Sequence, residues 1–246
     1  MREVEKIIQY APMNMREMLR SVAHYNSAYS PDAGHLLRAI LFAIVVVDRR
    51  FFVDVENEEE PYDDNALPIG KCQTISQPST VARMLLLAEL KEGDDVLEVG
   101  AGSGWNATLI SFLTYPGCVL SVDRIAALVE KAGGNLAKLR NYLKQKRPQN
   151  IERVSKVNFL AENVFSNGKI WKRKYNKIII TAGLTDKSAE NKVRKLAKIL
   201  LKQNGLLICP YVSGPLIIYK KRGNKLEKKE TREQYVFVPL LGGVEE

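Results

Sequence analysis

Three glycines at alternate positions, Gly100, Gly102 and Gly104, follow an apolar run in the stretch VLEVGAGSG. Glycine lets a backbone turn tightly and approach a ligand closely. The spacing is G-x-G-x-G, which differs from the G-x-G-x-x-G that cradles a pyrophosphate. A second apolar run, CVLSVD, ends in Asp123, 19 positions after Gly104. A carboxylate at such a strand end suits two ribose hydroxyls, each donating to one oxygen. Glu98 sits inside the first run, where a central strand is normally apolar, and a carboxylate there could hold an ammonium group. These residue types suit a nucleoside that carries an amino acid and no pyrophosphate, and S-adenosyl-L-methionine answers that description. The competing reading is a glycine turn that merely packs a helix; the pairing of Glu98 with Asp123 weighs against it.

Ahead of this loop lies NALPIGKCQTISQP, Asn65 to Pro78, which has neither helical nor strand periodicity. Its two hydroxyls, Thr74 and Ser76, flank Ile75. On spacing alone they read either as a turn that caps the next helix or as a segment that holds a ligand.

The elements that must position these residues can be read from periodicity. Residues 1–60 read as helical pieces broken by a loop at YNSAYSPDAGH, and the acidic run from Asp54 to Asn65 as a solvated loop. Ser79 to Glu89 reads as a helix, capped by Ser79, or by Ser76 if it begins at Pro78. Short apolar runs then alternate with helical stretches: DVLEVG, CVLSVD, VNFLAE, KIIITAG, GLLICPY, LIIYKK and YVFVPLL. Such alternation predicts an α/β fold, a Rossmann-like and mostly parallel sheet. The last runs lack intervening helices, so the far edge is expected to be antiparallel. No repeat or flexible linker interrupts the chain. Residues 1–246 are therefore expected to form one domain, a helical N-terminal extension over 1–60 on a core over 61–246.

The 246 residues are 46% hydrophobic, enough for one sizeable core. The net charge is +9 with a pI near 9.4, which raises the question of anionic partners. Three dispersed cysteines, Cys72, Cys118 and Cys209, form no CxxC. They indicate neither a metal site nor a disulfide framework, and a cytoplasmic location is expected. The apolar run Ala39 to Val47 is too short to span a bilayer and reads as a buried helix, so no membrane association is expected.

From about Leu36 onward the chain resembles the protein-L-isoaspartate O-methyltransferases. VDRRFFV (Val47 to Val53) is similar to the family pattern VPRxxFV. ALPIGKCQTISQPSTVARM (Ala66 to Met84) is similar to a block specific to that family. VLEVGAGSGWNATL, SVDR, YNKIIITAG and FVPLLGG resemble its later blocks. The resemblance implies an enzyme that uses S-adenosyl-L-methionine to methylate the α-carboxylate of L-isoaspartyl residues in damaged proteins and peptides. The ester then closes to a succinimide, whose hydrolysis restores some normal aspartate. It also implies that Ser76 acts in catalysis with Thr74, that Thr74, Ile75 and Ser76 contact substrate, and that Gly100, Ala101, Asp123 and Arg124 bind cofactor. Gly102, Gly104, Glu98, Glu162 and Asn163 join that cofactor set. No metal is implied.

Those residues suit the chemistry. A carboxylate with a pKa of ~4 is already a nucleophile at neutral pH, so the site needs position and dryness more than a base. The only histidines, His24 and His35, lie in the N-terminal region. Three departures from the family pattern stand out. Cys72 occupies a glycine position and is expected to be a small buried residue, strained if φ is positive. Ala161-Glu162-Asn163 replaces a Gly-Asp-Gly, with Glu162 keeping the charge and Asn163 suited to a left-handed conformation. LTDKSAENK replaces a segment that shapes the substrate side. Two other readings compete: a methyltransferase acting on RNA, and a non-catalytic relative that keeps the fold. The basic runs KIWKRKYNK and YKKRGNKLEKKETRE support the first, but they lack interleaved aromatics and read as solvated faces, against a specific nucleic-acid site.

Overall fold

The computed structural model describes residues 2–30, 34–54, 61–166 and 168–245. Helices α1 (Arg2–Tyr10), α2 (Arg16–Tyr29) and α3 (Gly34–Val46) open the chain. A hairpin of β1 (Leu67–Gly70) and β2 (Gln73–Ile75) leads into α4 (Pro78–Leu87). The alternating part runs β3 (Val96–Val99), α5 (Trp105–Thr114), β4 (Val119–Asp123), α6 (Ala126–Lys146), β5 (Val157–Ala161), β6 (Tyr175–Ile180), α7 (Lys187–Leu200) and β7 (Leu201–Pro210). The chain closes with β8 (Ser213–Gly214), β9 (Leu216–Arg222), β10 (Lys225–Glu230) and β11 (Tyr235–Val236).

The main sheet has seven strands in the order β10-β9-β7-β6-β3-β4-β5. Its strands from β7 to β5 are parallel, while β9 pairs antiparallel with β7 and β10 antiparallel with β9. From β3 the chain winds outward to β4 and β5, then returns across the sheet to β6. Right-handed crossovers of that order send the connections after β3 and β6 to opposite faces, which opens a crevice above the ends of these two strands.

The front helices do not stand apart. Ile8, Met15, Leu19, Ile40 and Ile44 belong to the same contiguous apolar cluster as Trp105, Ile110 and Ile179. Helix α3 is apolar nearly all round and is buried between α1, α2, α4 and α5. The loop expected over Asp54 to Asn65 lies partly outside the described residues; its last part, from Pro61, is a turn.

Two expectations change. YVFVPLL does not join the main sheet: only Tyr235–Val236 is strand, paired with β8. The edge strand is instead β10, from the basic run, entered through a turn at Gly223 with φ +57°. Its residues are mostly exposed and charged, a composition that hides a strand from periodicity while protecting an open edge from further pairing. The second change concerns the start of α4. Neither Ser76 nor Ser79 caps it; Gln77 holds the N-cap position without a side-chain bond to a helix N–H, and Pro78 fills the first turn. The Asp64 carboxylate reaches over from the preceding turn, accepting from Ser79 N–H at 2.8 Å and from Ser79 Oγ at 2.5 Å.

The stretch over 141–156 braces the outside of α5. The Arg153 guanidinium lies 5.5 Å over Phe112 and 5.8 Å over Tyr115, and pairs with Glu92 at 3.0 Å.

Candidate active site

A cavity of about 1100 Å³, counting its open mouth, lies above β3 and β6. Its floor is the glycine turn from Gly100 to Ser103, where the chain must leave β3 and reverse into α5. Gly100 has φ +102°, and a Cβ there would lie 2.2 Å from Thr181 Oγ1. Thr181 comes from the end of β6 and donates to the Val99 and Gly100 carbonyls, which fastens the floor to the neighbouring strand.

Asp123 ends β4 on the cavity wall. Gly102 N–H donates to its Oδ2 at 3.0 Å, and Ile125 N–H to its Oδ1 at 3.1 Å. The carboxylate is thus held by the glycine turn on the cavity wall, and each oxygen keeps further acceptor capacity. Arg124 and Glu162 also line the wall. Both Nη groups of Arg124 donate to Glu245 at 3.0 Å, tying down the C-terminal tail. Glu162 accepts from Lys169 N–H at 3.0 Å and Ile170 N–H at 3.3 Å, at the start of a short 3-10 turn. Ile125, Leu128 and Val164 add apolar wall.

The substrate segment closes the cavity from the other side. Gln73, Thr74, Ile75 and Ser76 all line it. Among the described residues, neither the Thr74 nor the Ser76 hydroxyl has a protein partner. The hairpin is docked on the floor by buried Ile69, whose methyl a Cβ at Gly102 would meet at 3.5 Å. Lys131 on α6 donates to the Ile69 carbonyl at 2.6 Å and pairs with Asp54.

The structure thus gathers Thr74, Ile75, Ser76, Gly100, Ala101, Gly102, Asp123, Arg124 and Glu162 around one space. Glu98, Gly104 and Asn163 are not on the wall of this cavity. Glu98 is fully buried; Ser121 Oγ donates to its Oε2 at 2.5 Å and Asn106 Nδ2 to its Oε1 at 2.7 Å. Burial, opposed by those two hydrogen bonds, pushes its carboxyl up to about 8. Gly104 packs under the turn, where a Cβ would lie 2.9 Å from Ala132 Cβ. Asn163 has no positive φ, and its Oδ1 accepts from Phe165 N–H at 3.1 Å in a local turn.

Cys72 does have positive φ, +54°, beside Lys71 at +53°, but it is exposed where a buried residue was expected. It is the hairpin tip and has no apolar layer to enter. The LTDKSAENK segment contributes no cavity residue among those described; it starts α7, with Asp186 accepting from Ala189 N–H at 2.8 Å.

Sequence reasoning missed Gln73, Asn106, Thr181 and the tail Val238 to Leu241, which all line the cavity. The apolar tail carried a signal, but strand-like periodicity concealed its use as a roof. Asn106 is notable because its Oδ1 is buried with no partner among the described residues.

The residues fit S-adenosyl-L-methionine. Asp123 offers two oxygens with further acceptor capacity for a diol, and Ile125, Leu128 and Val164 offer a dry slot for a planar base.

The family model for protein-L-isoaspartate(D-aspartate) O-methyltransferase matches residues 35–245. The chain is 33% identical over 250 residues to the protein-L-isoaspartate O-methyltransferase of Pelodictyon phaeoclathratiforme, covering 98% of this chain and 96% of that protein. It is 37% identical over 205 residues to the enzyme of the same name from Pyrococcus abyssi, covering 81% and 85%. The fold is similar to a crystal structure described as a protein-L-isoaspartate O-methyltransferase from Plasmodium falciparum in complex with S-adenosyl-L-homocysteine. The TM-score is 0.67 at 21% identity, over 87% of this chain and 98% of that one.

Proposed function

This chain belongs to the protein-L-isoaspartate(D-aspartate) O-methyltransferase family, and from that membership we propose how its own residues hold cofactor and substrate. Its activity is the S-adenosyl-L-methionine-dependent methylation of the α-carboxylate of L-isoaspartyl residues in proteins. The observation that carries the site assignment is the pair of unpartnered hydroxyls, Thr74 and Ser76, across one cavity from the aimed Asp123 carboxylate.

In this reading Asp123 accepts from the two ribose hydroxyls. Gly100 to Gly102 let the backbone approach the cofactor, and Arg124 and Glu162 flank its base. When bound, the cofactor supplies an electrophilic methyl group on a sulfonium. Thr74 and Ser76 donate to one oxygen of the substrate carboxylate and fix its line of approach to that methyl. The carboxylate is ionised at neutral pH, so no residue has to remove a proton. Ile75 and the tail Val238 to Leu241 cover the meeting point and exclude water, which strengthens the orienting hydrogen bonds. Glu98 holds the Asn106 amide in place and touches neither ligand.

Two substitutions test the assignment. Asp123→Ala is expected to weaken cofactor binding by about ten- to a hundredfold in calorimetry, the loss of hydrogen bonds to a charged group worth ~1.5–3 kcal/mol. Unchanged affinity would remove Asp123 from the cofactor site. Ser76→Ala is expected to leave cofactor affinity nearly intact and to slow single-turnover methylation of an isoaspartyl peptide by about ten- to a hundredfold. A wild-type rate would reduce Ser76 to wall, and a larger loss would make it a chemical participant.

We also read the protein as cytoplasmic, on its free thiols at Cys72, Cys118 and Cys209. Among the described residues no helix is long and apolar enough to cross a membrane. The basic hairpin is not read as a nucleic-acid site, because three of its six cations, Lys221, Arg222 and Lys228, are engaged. Lys228 pairs with Glu190 and Glu230, both at 2.9 Å. Lys221 donates to the Lys198 and Leu201 carbonyls, and Arg222 to Asn204.

A further inference from the structure

Arg49 takes no part in the chemistry above, yet it is among the largest fully buried side chains of the protein. It follows α3 in a 3-10 turn from Arg49 to Phe51, where the Arg50 N–H donates to the Asp48 carboxylate at 3.1 Å. No carboxylate among the described residues pairs with it. Its four Nη hydrogens meet four backbone carbonyls instead. Nη1 donates to Pro61 at 3.0 Å and Asp63 at 3.1 Å. Nη2 donates to Asn65 at 2.8 Å and Ser76 at 3.3 Å. Asn65 and Ser76 are the two ends of the segment that carries the β1–β2 hairpin, so one nitrogen closes that segment into a ring. The guanidinium carbon lies 5.5 Å from the centre of the Trp105 ring, and Trp105 lines the cavity. Trp105 is itself fixed, its Nε1 donating to the Val47 carbonyl at 2.9 Å.

A buried cation is costly, and burial brings Arg49 down to about 10, still charged at neutral pH. A turn alone could be closed by a neutral side chain. A planar fork that satisfies four carbonyls and stacks on an aromatic face needs arginine, because lysine has three donors and no plane. The geometry also has a direction. Lys131 pins the hairpin near its tip through Ile69, and Arg49 pins its base. Ser76 is the residue whose carbonyl Arg49 holds and which itself lines the cavity.

We propose that Arg49 is a positioning residue for methyl transfer, a clasp that fixes the Thr74 and Ser76 hydroxyls relative to the cofactor floor through the Ser76 carbonyl and the Trp105 face. The inference rests on the proposed roles of Thr74 and Ser76. It assigns to the segment before the hairpin a task in the site from which it is separated in sequence.

The experiment uses the full chain and Arg49→Lys. With an isoaspartyl peptide and saturating cofactor, kcat is expected to fall about ten- to a hundredfold, since a displacement of about 1 Å can cost that much. Affinity for S-adenosyl-L-homocysteine is expected to change less than about threefold. Adding Arg49→Lys to Ser76→Ala is expected to slow the latter by no more than about threefold, because both remove one positioning effect. A wild-type kcat, fully multiplicative losses, or parallel loss of cofactor affinity would overturn the proposal. A second arm needs neither activity nor a stable variant. In native-state hydrogen exchange of the wild type, the amides of 67–75 are expected to open in the same step as those of the turn at 49–52. Opening of the hairpin while that turn stays protected would overturn the clasp, whatever the wild-type activity proves to be.

Discussion

Gly104→Ala is expected to lower the melting temperature by about 5–15 °C and to weaken cofactor binding with it. Gly104 stands at φ +86°, just before α5, and a Cβ there would lie 2.9 Å from Ala132 Cβ, 3.1 Å from Ala132 Cα and 3.1 Å from Phe159 Cζ. The left-handed conformation costs a residue with a Cβ ~1–2 kcal/mol. Overpacking against a helix backbone costs a further ~1–3 kcal/mol, since Ala132 cannot move without α6. The sum of ~2–5 kcal/mol is a large share of a typical folding free energy of ~5–15 kcal/mol. The strain falls on the turn that carries Gly102, whose N–H aims Asp123, so the cofactor site shifts as well. Gly133→Ala is the control. That glycine lies inside α6, where an added Cβ would meet nothing within 4 Å, and alanine there is expected to stabilise by ~0.5–1 kcal/mol. Thermal melts of the two variants with opposite signs are the expected result; a neutral Gly104→Ala would show that the turn relaxes freely.

Glu98→Gln is expected to stabilise the protein increasingly as pH rises, by on the order of 3 kcal/mol at pH 7. The folded-state pKa of Glu98 is about 8, against 4.5 for an unperturbed glutamate. A raised folded pKa means that its contribution to stability is complete below about 4.5 and is lost as pH rises toward about 8. Over that window the unfolded chain gives up a proton that the folded chain retains, at about 1.4 kcal/mol per pH unit. Glutamine resembles the neutral acid and removes the slope. The unpartnered Asn106 Oδ1 agrees with a neutral Glu98: with the amide turned over, a carboxyl O–H can donate to it. Denaturant titrations from pH 5 to pH 8 should show wild type falling relative to the variant, with cofactor affinity unchanged within about threefold. A variant that loses stability at every pH, or loses cofactor binding, would establish Glu98 as a buried anion.

Much of the site was legible in local sequence. The alternate glycines announced a close backbone turn. Asp123 was readable as an aimed acceptor because a residue at the end of a strand in a parallel sheet faces the crevice above it. The block from Ala66 to Met84 marked Thr74, Ile75 and Ser76, and the alternation of apolar runs marked a parallel sheet with an antiparallel edge. The glycine turn, the strand-end carboxylate and the sheet follow from periodicity and from what one residue can do with its near neighbours, whereas Thr74, Ile75 and Ser76 were marked by resemblance to the family.

Tertiary packing decided the rest. Glu98 has the same side chain in any setting, and its burial beside Ser121 and Asn106 is what raises its pKa. Gly104 looks like its two companions until Ala132, 28 positions later, is seen against it. The exposed strand β10 has no apolar alternation to detect, since an edge held by backbone pairing tolerates charge on both faces. The tail Val238 to Leu241 becomes a roof because its backbone pairs with that of Gly183, more than 50 positions earlier, while Arg124 holds Glu245 beyond it. Arg49 becomes a clasp because backbone carbonyls, which every residue possesses, converge on it. Sequence carries the identity of a side chain and its near neighbours; pKa, packing clearance and carbonyl convergence are set by residues that only folding brings within a few ångströms.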